Sequence, residues 1–265
     1  MREVPDSPDW MPESTSSIFS DLGFSDKDRA ATVLDCFDYR SQLVVIHRMI
    51  QSDRASSQIE VERIDSFKNT VGIDQLCAES EYTEACRNSV YNDAARSMAA
   101  IGMLAPFVES MFKHAFQGLS ESFQRAKISI PNESARKLDP SDWWDCKFYT
   151  NSKGKKAKGL ARGISEISES IGLSKHFPFD YSQCLSALFV YRNSMFHNGY
   201  EWPIAEREVF DKKLKKENWP SEWFGYASVD GAPWIFYMSD IFIERCLQLI
   251  DELLTAIGKL CKDKL

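Results

Sequence analysis

The run Arg192-Asn193-Ser194-Met195-Phe196-His197 places a guanidinium, an amide and an imidazole close together in the chain. On a helix, Asn193 and His197 stand four apart and share a face, while Arg192 projects from its flank. An imidazole moves a proton near neutral pH. A guanidinium binds phosphate bidentately and holds charge that develops on its oxygens. The amide can orient either the histidine or the substrate. These groups suit phosphodiester chemistry that needs no metal. The plainer alternative is a helix-terminal His that binds the last carbonyls, beside an Arg-Asn pair that only caps or faces solvent.

A helix must present them, and the stretch from Asp180 to Pro203 reads as one. Asp180 and Gln183 have the spacing of a capping box. Leu185, Leu188, Phe189 and Phe196 recur at mostly helical spacing and bury one side, and Gly199 supplies the stop.

The R-N-x-x-x-H run resembles the R-x(4–6)-H signature of the HEPN superfamily, with the Asn directly after the Arg as in its ribonucleases. The long apolar stretch Ala94–Phe123 resembles an early helix of the HEPN bundle, and Ser239–Lys262 its closing helix. The resemblance covers roughly the last two thirds of the chain. It implies a metal-independent endoribonuclease in which the ribose 2′-OH attacks the adjacent phosphate and leaves a 2′,3′-cyclic phosphate. His197 would transfer protons, Arg192 would hold phosphate and transition-state charge, and Asn193 would orient His197 or the phosphate. It further implies a homodimer with the active centre at the interface, where Phe189, Met195 and Phe196 supply the contact. A role in phage defence or as a toxin, with an antitoxin or other regulatory partner, follows from the same analogy. A non-catalytic HEPN-like module that binds RNA, a nucleotide or a protein is the alternative.

Glu109 lies within the apolar stripe of Ala94–Phe123 and admits two readings. It is an exposed acid on a polar face, or it pairs with Arg192 or Asn193 and supports the site. Among the other histidines, His47 sits among apolar residues and reads as structural, His114 as exposed, and His176 as part of a turn.

The chain has 265 residues, 43% of them apolar, which is ample for a packed core. The net charge of −7 counts against a general nucleic-acid coat, because non-specific phosphate affinity comes from clustered Lys and Arg. The charge is unevenly spread. Lys147, Lys153, Lys155, Lys156, Lys158 and Arg162 fall in one stretch without an acid, and the loop lysines 153, 155, 156 and 158 are candidate RNA contacts. Glycines 154 and 159 do not make a triphosphate loop, since G-x-x-x-x-G-K-[ST] is absent. Seven cysteines without C-x-x-C or paired Cys/His spacing read as reduced thiols, with no metal or cofactor site. The sequence shows no signal peptide and no apolar run of membrane-spanning length, which points to a soluble cytoplasmic protein.

The pattern predicts a mainly α protein. Residues 1–24 form a flexible arm, 25–90 an N-terminal helical unit and 91–265 a HEPN-like helical bundle. Ser25 and Asp28 open one long helix to about Ser52. A second helix spans Ser56–Thr70 and breaks at Gly72; Glu81–Arg96 is a separate helix or the start of the next. Pro106 interrupts Ala94–Phe123. Asp139-Pro140 starts a short helix carrying Trp143, Trp144 and Phe148, followed by helices over Leu160–Leu173 and Ile204–Glu217. Asp230-Gly231 between aromatic runs signals a small β-hairpin, whose aromatic residues either stack on bases or form a satellite core. Ser239 or Asp240 caps the last helix.

Overall fold

The computed structural model describes residues 24–34, 37–67 and 75–265. The arm expected over residues 1–24 lies outside them up to residue 23, as does the break expected at Gly72. The described residues are mainly helical, with two small antiparallel hairpins.

Helix α1 (Asp26–Ala31) carries the capping box at Ser25 and Asp28 in both directions. It does not continue to Ser52. The chain leaves the helix after Ala31 so that Val33 and Leu34 can bury against α3 (Gln75–Arg125). The closeness of that approach is visible at Gly118, where a Cβ would stand 2.0 Å from the Val33 carbonyl oxygen. Helix α2 (Tyr39–Phe67) then restarts, with Asp38 accepting from the Ser41 N–H at 3.0 Å. It runs through Ser52 without a break, so the two helices expected on either side of that point are one.

Glu81–Arg96 is the early part of α3, which passes straight through the domain boundary expected near residue 90. Pro106 sits within α3 on its exposed side. The inward face of α3, including Ile101, Leu104, Met111, Phe112 and Phe116, is fully buried. Near the other end of the chain α7 (Asp240–Lys264) begins at Ser239, whose hydroxyl accepts from the Phe242 N–H at 3.2 Å. Helix α1 lies directly on α7. A Cβ on Gly258 would meet the Asp26 carbonyl oxygen at 1.6 Å.

The helix expected after Asp139-Pro140 is instead a succession of tight turns, Asp142 N–H to Asp139 O and Asp145 N–H to Asp142 O. Arg136 explains the difference. Its buried guanidinium collects the Asp145 carbonyl at 2.8 Å and binds Glu166 at 3.0 Å. A carbonyl turned inward to a cation is not available along a helix axis. Strands β1 (Phe148–Thr150) and β2 (Lys156–Lys158) follow as a hairpin. Gly163, on α4 (Leu160–Ile171), lets β1 and the residues before it approach closely, since a Cβ there would fall 2.6 Å from the Phe148 carbonyl oxygen and 2.0 Å from that of Cys146.

Helices α5 (Tyr181–Asn198) and α6 (Ile204–Lys216) lead into strands β3 (Phe224–Val229) and β4 (Ala232–Met238). Asp230 and Gly231 both have positive φ, as a two-residue type I′ turn requires. A register shift between Ala227 and Ser228 falls where Pro233, which has no N–H to donate, stands opposite. Trp223, Phe224 and Phe236 are buried and join the core, Trp234 and Tyr237 are half-buried, and Tyr226 is exposed.

Candidate active site at the end of the fifth helix

Helix α5 is fixed along its whole length. At its start, Asp180 is the N-cap residue by position, but its side chain makes no capping bond. Arg245 of α7 takes both carboxylate oxygens instead, Nε at 2.7 Å and Nη2 at 2.5 Å. One turn further, Cys184 and Cys246 place their buried sulfurs 3.9 Å apart as free thiols. Tyr191 is fully buried and donates to the Phe236 carbonyl at 3.1 Å, with Trp202, Phe210 and Phe224 packed around its ring. Burial pushes its phenol well above the ordinary range. Gly199 ends the helix at φ +71°, and its N–H bonds to the Met195 carbonyl at 2.9 Å.

On this fixed rod, Arg192 is half-buried and Asn193 and His197 are exposed. Arg192 Nη1 donates to Asn193 Oδ1 at 3.1 Å, and its Cζ lies 5.8 Å from the centre of the Phe196 ring. Phe196 in turn rests on α3 at Gly102, where a Cβ would stand 3.5 Å from Phe196 Cζ. Among the described residues, no carboxylate reaches the Arg192 guanidinium within ion-pair distance. His197 likewise has no hydrogen-bonding or ionic partner among them. A guanidinium that is steered but not neutralised thus stands on the last two turns of the helix that also carries an exposed imidazole without a partner among the described residues.

Glu109 does not join this group. Its ion pair is with Lys147, at 4.0 Å. Glu109 lies seven residues beyond Gly102, about 10 Å along α3 from the contact with Phe196. The basic loop is a formed turn: Asn151 Oδ1 accepts from the N–H groups of Lys153 and Lys155, both at 3.0 Å. Lys156 is spent within the fold, on Asp142 at 2.5 Å and over the Phe148 ring. Lys153, Lys155 and Lys158 are exposed and have no ion pair among the described residues.

The other histidines are placed elsewhere. His47 is exposed, because Ile46 and Ile50 supply the buried side of that turn of α2. His114 is not exposed but half-buried, stacked on Phe37, with Nδ1 2.8 Å from the Ser110 carbonyl. His176 lies in a 3₁₀ turn 3.2 Å from Asp263, and burial lowers its pKa. The apolar residues expected at a dimer contact also divide: Phe189 and Met195 belong to the core, and Phe196 alone is exposed, at 56%.

A cleft that the sequence pattern does not announce opens along α5. Reading back from His197 and Asn193, the same face of α5 carries Val190, Ser186 and Gln183, which form part of the lining of a cleft of about 610 Å³. Its walls come from the β1–β2 hairpin and α4 on one side and the end of α6 on the other. The spacing of Ser186, Val190, Asn193 and His197 was the available signal.

Among the described residues no group of three or more His, Cys, Asp and Glu is arranged to hold a metal ion, and no helix is long and apolar enough to cross a membrane. Comparison of the chain with protein-family models, with curated proteins and with solved structures finds no match.

Proposed function

We propose that the chain is a HEPN-type endoribonuclease that cleaves RNA without a metal ion, leaving a 2′,3′-cyclic phosphate. The observation that carries this reading is that the last two turns of one helix hold both an unneutralised Arg192 and a His197 without a partner among the described residues. A guanidinium of purely structural use is ordinarily matched to a carboxylate, as Arg136 and Arg245 are here. Arg192 instead is held by an amide and an aromatic face, which orient it and leave its charge for a phosphate.

In this mechanism His197 takes or returns a proton, Arg192 binds the phosphate and offsets the charge of the transition state, and Asn193 sets the Arg192 rotamer. General acid–base transfer contributes on the order of 10²–10⁴ in rate, and one preorganised charge contact about 10²–10³. In-line displacement uses two proton-transfer groups, and each chain brings one histidine to this face. A two-fold axis beside the end of α5 would supply the second from another copy, with Phe196 at the contact. Lys153, Lys155 and Lys158 are the lysines left to meet RNA. Action in the cytoplasm as a toxin or in phage defence, under a neutralising partner, rests on the family analogy.

The acidic net charge of −7 favours a second reading, a non-catalytic module that binds a protein partner through the same face. Incubation of wild type, His197→Ala and Arg192→Ala with mixed RNAs in excess chelator separates the two. The nuclease gives cyclic-phosphate ends with wild type alone. A binding module cuts nothing. Cleavage that needs magnesium and survives His197→Ala would refute the assignment.

A further inference from the structure

The cleft along α5 leads to the proposed active centre from one side. Its floor runs from Gln183 through Ser186 to Val190, and Asn193 follows three residues later, about 4.5 Å along the axis. A strand whose phosphate sits at Arg192 and His197 would lay its next nucleotide or two into this cleft. The volume of about 610 Å³ falls in the range of about 300–1,000 Å³ usual for small-molecule sites.

Charge narrows what the cleft recognises. Arg162 and Lys213 line it together with Glu169 and Glu217, while the remaining acid, Glu166, is held by Arg136 and the Thr150 N–H. Two bases against two free acids leave no surplus with which to hold a phosphate backbone, the usual source of non-specific affinity. The cleft offers hydrogen-bonding groups instead. The Gln183 amide and the Ser186 hydroxyl have no protein partner among the described residues, and neither do the Glu169 and Glu217 carboxylates. Carboxylates only accept. They match the amino group of cytosine and repel the carbonyl oxygen that uracil carries at the same ring position. Arg162 lies over the Tyr149 ring at 5.2 Å and presents a flat cationic surface of the kind on which bases stack.

We infer that this cleft is a base-reading subsite for the RNA strand, selective for bases with an exocyclic amino group, with Glu169 and Glu217 as the discriminating residues. The inference rests on the ribonuclease reading above, and the two can fail separately.

The test uses the full chain carrying His197→Ala, so that RNA is not consumed, and fluorescent oligocytidylate and oligouridylate of equal length. The two probes differ in the group at the ring position the carboxylates would read. Anisotropy titrations at one salt concentration should show oligocytidylate binding about tenfold tighter. Glu169→Gln with Glu217→Gln should bring the ratio close to one, chiefly by improving oligouridylate. Ser186→Phe should weaken both probes, and Gln183→Ala, a milder change, should do so in a chain of unaltered circular dichroism. Equal affinities in the parent, a ratio indifferent to the Glu→Gln changes, or no binding of either probe would overturn the subsite. If the cytosine preference holds but the chain with His197 restored cuts no RNA, the cleft stands as a base site and the ribonuclease reading fails. If that chain cuts RNA while the two probes bind alike, the ribonuclease reading stands and the subsite fails.

Discussion

Arg245 closes on both carboxylate oxygens of Asp180, at 2.7 and 2.5 Å, and ties α7 to the N-cap residue of the helix that carries Arg192 and His197. Those hydrogen bonds hold the Asp180 carboxyl below the ordinary carboxylate range. A carboxyl lowered on folding stabilises the native state above its unfolded pKa of about 3.9, and the contribution is lost as pH falls through the folded value. The pair is partly exposed, so its worth lies between the surface and buried limits. Arg245→Met should cost about 1–3 kcal/mol in urea denaturation at pH 7, with a smaller deficit in acid once Asp180 is protonated. A deficit that grows in acid would contradict this.

Two glycines should respond in opposite directions to the same substitution. Gly258→Ala drives a methyl into the Asp26 backbone, at 1.6 Å, and should cost about 1–3 kcal/mol while loosening α1 in hydrogen exchange. Gly102→Ala meets only the edge of Phe196, at 3.5 Å, and gains the helix preference of alanine. It should stabilise by about 0.5–1 kcal/mol. Thermal melts of the two variants give the sign of each.

A shared active centre has a distinct signature in mixed dimers. Wild type and His197→Ala chains are co-refolded in varying ratio at fixed total concentration. If both histidines are needed, activity follows the square of the wild-type fraction. If one suffices, mixed dimers lift the curve above a straight line. Strict proportionality, with random mixing established, would mean that each protomer acts alone. Phe196→Asp, at the exposed end of the contact, should lower both dimer content and activity without a comparable loss of stability.

Elements set by local signals were legible in the sequence. Asp230-Gly231 fixes its hairpin through two positive φ angles, Ser239 caps α7, and the spacing of Ile164, Ile167 and Ile171 marks α4. What could not be read was decided by residues far apart in the chain. Asp180 looked like a capping residue until Arg245, sixty-five positions away, took its carboxylate. The turn after Asp139 looked helical because nothing local announces that Arg136 will collect its carbonyls. The split between α1 and α2 did have a local sign, the capping residue Asp38, which the apolar spacing around it masked. At the site, the relation of Arg192 to Asn193 follows from adjacency, but the Glu109–Lys147 pair and the cleft along α5 depend on how separate elements pack.

Proton transfer by His197 is the central claim, and the single-turnover rate of RNA cleavage against pH tests it most directly. With chemistry rate-limiting, the wild-type rate should change with pH across the range in which the protein stays folded, as general acid–base transfer requires. His197→Ala should lose about 10²–10⁴ in rate together with that pH dependence. A wild-type rate that is flat across the whole range, or a His197→Ala variant that keeps both rate and profile, would leave the histidine with no part in the reaction.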